Sequence, residues 1–546
     1  MPRIHPPVLL LLAACAPVSA ALSAVYSQKE LNEEKVVASN WQQHSPEYEA
    51  LVHQSFNIAR DNLASALNEL PEGKRAAIVT DIDDTLIDGT VYFSSMVGTG
   101  GARSTDATIA WWREQRMEAL PGAVDFLNEI DQQSIDIFYV SGRFNEAKDI
   151  SMAKLKALGF PIKGPEYLLF QQTDNRTLSK EDHRQKIRDK GYQILMLLGD
   201  QLDDLAEVEG HHFTERQQWV HQNRSRFGKD WISFPNLVYG SWESAAVTEN
   251  FSQLSPQKKH IANLNALNHS HFSQIRDPAF AQHNINAMLW MYSSADYHAL
   301  TQQAFNHSTK ILEKLTQKTM ENPVIVVDIN GTILQYTPLN PDLIRPASGS
   351  EHDKDSWRLE QQKNAKPIPG AREFLTAAKE KGFDIFYVSE QPMSSGRQGN
   401  RKDFEELTVK QLKKLGYPDA DETHIVLKGE YCSEVDLKNC TKIFQRRAIT
   451  NGQVDRKKHQ IALYIGDTLS DFDLEENGYN PDLKVSVTAN KDLFGRQYVV
   501  IPNPIDTYRL VTIYNEYAGK PIGDLSREEQ ANVRRKMIRN WPGKPF

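Results

Sequence analysis

The chain has 546 residues, too many for one compact core, so two or more domains are expected. A hydrophobic fraction of 40% and a charged fraction of 25% are those of an ordinary globular protein. The net charge of −8 argues against a nucleic-acid polymer as partner, which calls for a basic face, yet leaves room for a local cationic pocket.

Residues 1–26 read as an export signal. Arg3 precedes an apolar run, Val8–Ala14, and then small residues. The run falls far short of the roughly 20 residues that span a bilayer. Two processing points compete. Leu12-Ala13-Ala14-Cys15 resembles the lipobox of bacterial lipoproteins, which would leave Cys15 lipidated and the protein anchored in the periplasm or at the outer membrane. Val18-Ser19-Ala20 suits ordinary signal peptidase, which would release a secreted protein after Ala20. The lipobox is the preferred alternative. Cys432 and Cys440 are the other cysteines, and a pair in an exported chain is a candidate disulfide, with two buried thiols as the alternative.

The remainder of the chain states one long pattern twice. HQSFNIARDNLASAL from His53 matches QQAFNHSTKILEKL from Gln302. AAIVTDIDDTLI from Ala76 matches PVIVVDINGTIL from Pro323, and DIFYVSGR from Asp136 matches DIFYVSEQ from Asp384. KLKALGFP at Lys154 matches QLKKLGYP at Gln411, and QILMLLGDQLDD at Gln193 matches IALYIGDTLSDF at Ile461. Several matches in one order mean duplication, with units at 27–265 and 266–546. The polar stretch Ser255–Gln274 is expected to join them.

Within each unit, short β-rich apolar runs end at Asp81, Ser141 and Asp200 and read as buried parallel strands. Helical patterns separate them, which implies an α/β fold with a parallel sheet flanked by helices. Ligands of such sheets lie beyond the carboxyl ends of the strands, so the three polar residues should converge. The segment from about 87 to 118, Gly-rich at 98–101 and aromatic at Trp111 and Trp112, reads as a small cap insert over the crevice.

Carboxylates clustered at strand ends repel one another and resist desolvation, and a hard divalent cation such as Mg²⁺ offsets both. Asp81, Asp83, Asp200 and Asp204 supply the carboxylates, Ser141 a hydroxyl and Lys180 a fixed cation. That set suits a metal-bound phosphoryl group.

DIDDT, VSGR, Lys180 and GDQLDD, in that order, resemble the haloacid dehalogenase (HAD) superfamily, with a Rossmannoid sheet. SNWQQHSPEYEAL at 39–51, ALPGAVDF at 119–126 and PNLVYGSWE at 235–243 narrow the likeness to the class C, lipoprotein-type bacterial acid phosphatases, over roughly residues 39–245. The resemblance implies hydrolysis of phosphate monoesters, nucleoside monophosphates among them. It implies Asp81 as nucleophile and Asp83 as acid and then base. Mg²⁺ would be held by Asp81, the Asp83 carbonyl and Asp200. Ser141 and Lys180 would hold phosphoryl oxygens, with Arg143 and Arg184 nearby, Asp204 positioning Lys180 or a water, and Trp111 and Tyr239 stacking on the leaving group.

The second unit keeps Asp328, Ser389, Lys442 and Asp467 at the matching positions but has Asn330 in place of Asp83. An amide has no usable pKa, so this unit is expected to be slow or inactive. It could instead bind a phosphorylated ligand or pair with the first unit as a built-in pseudo-dimer. The contrasting possibility for the whole chain is a binding or adhesion lipoprotein that uses phosphatase folds as scaffold.

Overall fold

The computed structural model describes residues 26–113, 117–173, 176–208, 212–246, 251–267, 278–316, 320–335, 365–392, 403–432, 440–474 and 483–539. The expected export signal, with Cys15 and Ala20, lies outside them.

The first repeat supplies β1 (Arg75–Thr80), β2 (Asp136–Phe144), β3 (Leu168–Thr173), β4 (Arg176–Thr177), β5 (Tyr192–Gly199) and β6 (Trp231–Ser233). They form one sheet in the order β4-β3-β2-β1-β5-β6. Neighbours are parallel except β3 with β4. The three apolar runs visible in the sequence are β2, β1 and β5, the central strands. The antiparallel β4 departs from the all-parallel expectation; it is two residues at the sheet's edge.

The second repeat supplies β7 (Pro323–Asp328), the ribbon strands β8 (Leu334–Gln335) and β9 (Lys366–Pro367), then β10 (Asp384–Pro392), β11 (Ile425–Lys428), β12 (Gln460–Gly466) and β13 (Tyr498–Val500). Its sheet runs β11-β10-β7-β12-β13, all parallel. This is the order β3-β2-β1-β5-β6 of the first repeat again. The central strands β1 and β7 are buried from Ala77 to Thr80 and from Val324 to Asp328, which is why they read as unbroken apolar runs.

Two long helices begin with one device. Ser45 Oγ accepts from the Glu47 amide at 3.2 Å to start Pro46–Asn68, and Ser294 Oγ accepts from the Asp296 amide at 2.9 Å to start Ala295–Leu315. Each helix reaches the other repeat. Gln54 exchanges hydrogen bonds with the amide and carbonyl of Val500 in β13, both at 2.9 Å. Gln303 does the same to Ser233 in β6, at 2.8 and 2.9 Å. One turn on, Asn57 donates to the Lys491 and Phe494 carbonyls, and Asn306 to the Arg224 and Phe227 carbonyls. An outermost strand leaves backbone groups without a strand partner, and a primary amide, donor and acceptor at once, supplies that partner.

The approach is close. Gly228 has φ +76°, and a Cβ there would sit 2.8 Å from the Gln303 carbonyl oxygen. Gly495, at the matching place, has φ +78° and faces Gln54.

The polar stretch after Ser255 is not a bare tether. Residues Pro256–Ala266 form a helix, and Asn263 and His260 bond to Glu34 at 2.8 and 2.6 Å. Residues 268–274 of the expected linker lie outside the described residues. The C-terminal helix Arg527–Lys536 returns to the first repeat, where Arg535 pairs with Glu33 at 2.7 Å. Cys432 and Cys440 form a disulfide.

Gly228→Ala is expected to cost roughly 2–4 kcal/mol of unfolding free energy, combining a left-handed backbone with a backbone clash. Gly73→Ala, with φ +76° but nothing within 4 Å of a Cβ, should cost only about 1 kcal/mol. Denaturant melts of the two variants check this; equal losses would mean the inter-repeat contact contributes nothing at Gly228.

Candidate active site

Asp81 follows the last residue of β1, and its amide donates to the Leu198 carbonyl of β5 at 2.9 Å. Asp200 follows the last residue of β5. Gly199 permits the loop beyond it to fold back, because a Cβ there would fall 2.1 Å from Asp204 Cβ. Asp204 Oδ2 accepts from the Gln201 amide at 3.0 Å, which fixes that loop. The carboxylates of Asp81, Asp200 and Asp204 are all buried, with oxygens within 4.8 Å of one another.

Lys180 arrives from the helix Lys180–Asp189, started by a reciprocal Ser179–Asp182 cap. Its Nζ donates to Asp81 Oδ1 at 2.7 Å and also to Asp204. Ser141 lies near the end of β2, 2% exposed, and Arg143 beyond it turns a bidentate guanidinium onto Asp83 at 2.7 and 2.8 Å. A third nitrogen of Arg143 donates to Ser151 at 2.8 Å. Arg184 is held by Glu181 at 2.6 Å and by the Asp204 carbonyl at 2.7 Å. Both arginines, expected near the phosphoryl oxygens, border the same cavity as Asp81 and Lys180 and have carboxylate or carbonyl partners of their own. Asp203, at 46% side-chain exposure, stays at the rim.

These groups border a cavity of about 450 Å³. Asp81, Asp83, Ser141 and Lys180 line it, and Phe93, Trp111, Trp112 and Tyr239 contribute aromatic surface, mostly from the expected cap segment. Trp111 is 2% exposed beside Tyr92, and the Tyr239 ring lies flat on Phe93 with centroids 3.4 Å apart.

Burial pushes the Asp81 carboxyl up; Lys180 opposes this, Asp204 and Asp83 add to it, and the result is about 7. Asp200 is raised well above the carboxylate range by burial and then by Asp204 and Asp81. Burial alone would lower Lys180, but the attraction of Asp204 and Asp81 raises it, so it stays cationic. Three buried carboxylates therefore face one ammonium. The donor set is hard oxygen, short of positive charge, and fits a divalent cation such as Mg²⁺.

Two groups here escaped the sequence reading. Thr85 Oγ1 donates to Asp200 Oδ1 at 3.1 Å, and Asn236 Nδ2 to Asp200 Oδ2 at 2.8 Å. The repeat itself carried the signal: Thr332 and Asn503 do the same to Asp467, at 3.1 and 2.6 Å. Asp84 was also passed over. It holds φ +56°, a costly conformation for a side-chain-bearing residue, and accepts at 3.2 Å from both Gln42 and the Gly89 amide.

The second repeat reproduces the inner layer. Lys442 bridges Asp328, at 2.5 Å, to Asp471, and Asp328, Asp467 and Asp471 cluster as their counterparts do. Ser389 accepts from the Gln391 amide as Ser141 does from that of Arg143. Asn330 donates to Ser389 Oγ at 3.5 Å. Thus Asp83 and Arg143 are partners, and both are replaced, by Asn330 and Gln391.

The family described as HAD superfamily, subfamily IIIB (Acid phosphatase), matches the chain twice, over residues 12–242 and 249–509. The chain belongs to this family. It is a tandemly duplicated acid phosphatase, a phosphoric monoester hydrolase. Among similar solved structures are the class C acid phosphatase from Bacillus anthracis and the same enzyme with tungstate bound. Each is 30% identical, with 43% of this chain and 97% of the other covered and a TM-score of 0.40.

The raised Asp81 fixes a pH dependence for this phosphatase. Its folded-state value of about 7 lies above the unfolded value of roughly 3.9, so between them the native state binds the extra proton. Stability of the metal-free protein should therefore fall as pH rises from about 4 to 7, and a divalent cation should recover it. Melting with EDTA and with Mg²⁺ at pH 5.5 and 8 checks this: the gap should widen at pH 8, and an equal gap would refute the charge argument.

Proposed function

We propose that residues 27–265 form the working unit, a Mg²⁺-dependent phosphatase that acts through an aspartyl-phosphate. The observation that carries this is the combination of the buried Asp81–Lys180–Asp204 bridge with Asp83, which faces the same cavity under the grip of Arg143. Asp81 and Asp200 would hold the cation, with the Asp83 carbonyl completing the set. Bound there, it would neutralise charge on the transferred phosphoryl group.

The chain's own residues account for the rest. Asp81 attacks phosphorus as the ester P–O bond breaks, and Asp83 gives a proton to the departing oxygen. Water then attacks phosphorus, Asp83 takes its proton, and the bond to Asp81 breaks to release phosphate. Lys180 and the Ser141 hydroxyl hold phosphoryl oxygens. Arg143 aims the Asp83 carboxyl, and Asp204 holds Lys180 in place. Trp111 and Tyr239 favour esters with a flat leaving group, so nucleoside monophosphates are the proposed substrates.

The second unit, residues 266–546, keeps the groups that would hold a cation and a phosphoryl group: Asp328, Asp467, Ser389 and Lys442. With Asn330 it lacks the proton donor, so it binds without useful turnover, and it pairs with the first unit as a built-in dimer. The signal at 1–26, with Cys15 lipidated, places the protein in the periplasm or at the outer membrane. The Cys432–Cys440 disulfide suits an oxidising compartment, and among the described residues no helix is long and apolar enough to cross a membrane.

The test is hydrolysis of nucleoside monophosphates by the full chain with Mg²⁺ and after chelation. Asp81→Asn should abolish turnover, and Asp83→Asn should lower kcat by about 10²–10⁴-fold. Substantial turnover in Asp81→Asn would assign the chemistry to the second unit, and equal rates for wild type and Asp83→Asn would sink the mechanism.

A further inference from the structure

The loops that hold Asp200 are themselves held by the other repeat. The amide of Leu202, two residues after Asp200, donates to Asp296 Oδ1 at 3.0 Å. Asp296 is 6% exposed and stands at the start of the helix Ala295–Leu315. Gln303, on the same helix, clamps Ser233, three residues before the Asn236 that bonds Asp200. Asn286, from the preceding helix Pro278–Ser293, donates at 2.5 Å to the carbonyl of Leu237, beside Asn236. Three second-repeat residues therefore fasten both loops that converge on one metal-site carboxylate.

The position of Asp296 is not forced by helix capping. Ser294 Oγ caps the helix through the Asp296 amide and also donates to Asp296 Oδ2 at 3.3 Å, while Oδ1 reaches across to the Leu202 amide. Burying a carboxylate is costly, and Asp203 stands nearby with the same charge. The attraction of Arg216, a first-repeat residue that also donates to Ser241 at 3.1 Å, the Leu202 bond and the Ser294 hydroxyl offset only part of that cost, and burial still pushes the carboxyl up to about 6. Ser241 in turn donates its amide to Gln201 Oε1 at 2.8 Å, so the carboxylate meets the Asp200–Asp204 loop from a second side.

The geometry points to Asp296 as a positioning residue for the first unit's site: the second repeat completes the catalytic loop of the first across the interface. This rests on the metal-dependent site proposed above. The second repeat thus has a task that survives the loss of its own proton donor. Outer-layer partners of metal ligands typically govern about 10–100-fold in metal affinity or activity.

The test uses the full chain. Asp296→Leu removes the acceptor for the Leu202 amide, and Asp296→Asn keeps one. Gln54→Met breaks the same interface at Val500, away from the first unit's loops. Asp296→Leu should raise the Mg²⁺ concentration for half-maximal activity about tenfold or more and lower kcat, while Asp296→Asn recovers most of both. Gln54→Met should lower the melting temperature without moving the Mg²⁺ half-saturation. An unchanged half-saturation in Asp296→Leu would overturn the inference, as would an equal shift in Gln54→Met. Hydrogen exchange at residues 200–206 reads the contact independently of turnover. Wild type without Mg²⁺-dependent activity would defeat the proposed function, whereas lost protection in Asp296→Leu would still report the clamp; unchanged protection would refute it.

Discussion

Lys180 joins Asp81, at the end of β1, to Asp204, in the loop after β5. Around this bridge three buried carboxylates share one ammonium. Such a cluster cannot stand on packing alone, because desolvated like charges favour protonation over ionisation. Several local features answer to that constraint. Gly199 lets Asp204 fold back, the Ser179–Asp182 cap starts the helix that delivers Lys180, and Thr85 and Asn236 each bond one oxygen of Asp200. The same set recurs about Lys442, so this part of the fold is built twice to one plan.

The repeats part company one layer out. Asp83 and Arg143 form a bidentate pair, worth more than a lone contact because two parallel bonds fix orientation as well as charge. Removing either member alone would leave a half-buried or buried charge without its partner. Replacing both, as Asn330 and Gln391 do, avoids that cost. A second difference follows the same line. Asp84 tolerates φ +56° with Gln42 and the Gly89 amide on its carboxylate, while the second repeat has Gly331 at φ +80°, where no such support is required. The second site has shed its demanding outer layer and kept the inner one.

Much of this was legible in the sequence because the central strands are buried on both faces and so appear as apolar runs that end in polar residues. Asp81, Ser141 and Asp200 were found that way, and their convergence follows from strand topology. The edges were less legible. β6 and β13 are three residues long, and β4 is two, too short for any periodicity. The Asp83–Arg143 pairing was hidden for another reason: each residue had a plausible role facing substrate, and sequence order does not say which cation meets which anion. Thr85 and Asn236 are not legible in the same way, since hydroxyl and amide side chains acquire meaning only beside a particular carboxylate, here Asp200.

The duplication supplies its own comparison, and what it retains is informative. Between the repeats the proton donor and its arginine differ, yet three pairs of residues that reach across do not change in kind: Gln54 with Gln303, Asn57 with Asn306, and Glu47 with Asp296. Glu47 accepts from the Leu469 amide at 3.3 Å, as Asp296 does from that of Leu202. These contacts run in both directions, so neither repeat can lose its long helix without exposing an outer strand and loosening a loop of the other. A repeat bound in this way is held to its fold by its partner's needs even after its own chemistry is gone. Two amides that satisfy outer-strand backbone and two carboxylates that receive a loop amide are sufficient physical reason for one unit to persist as the scaffold of the other.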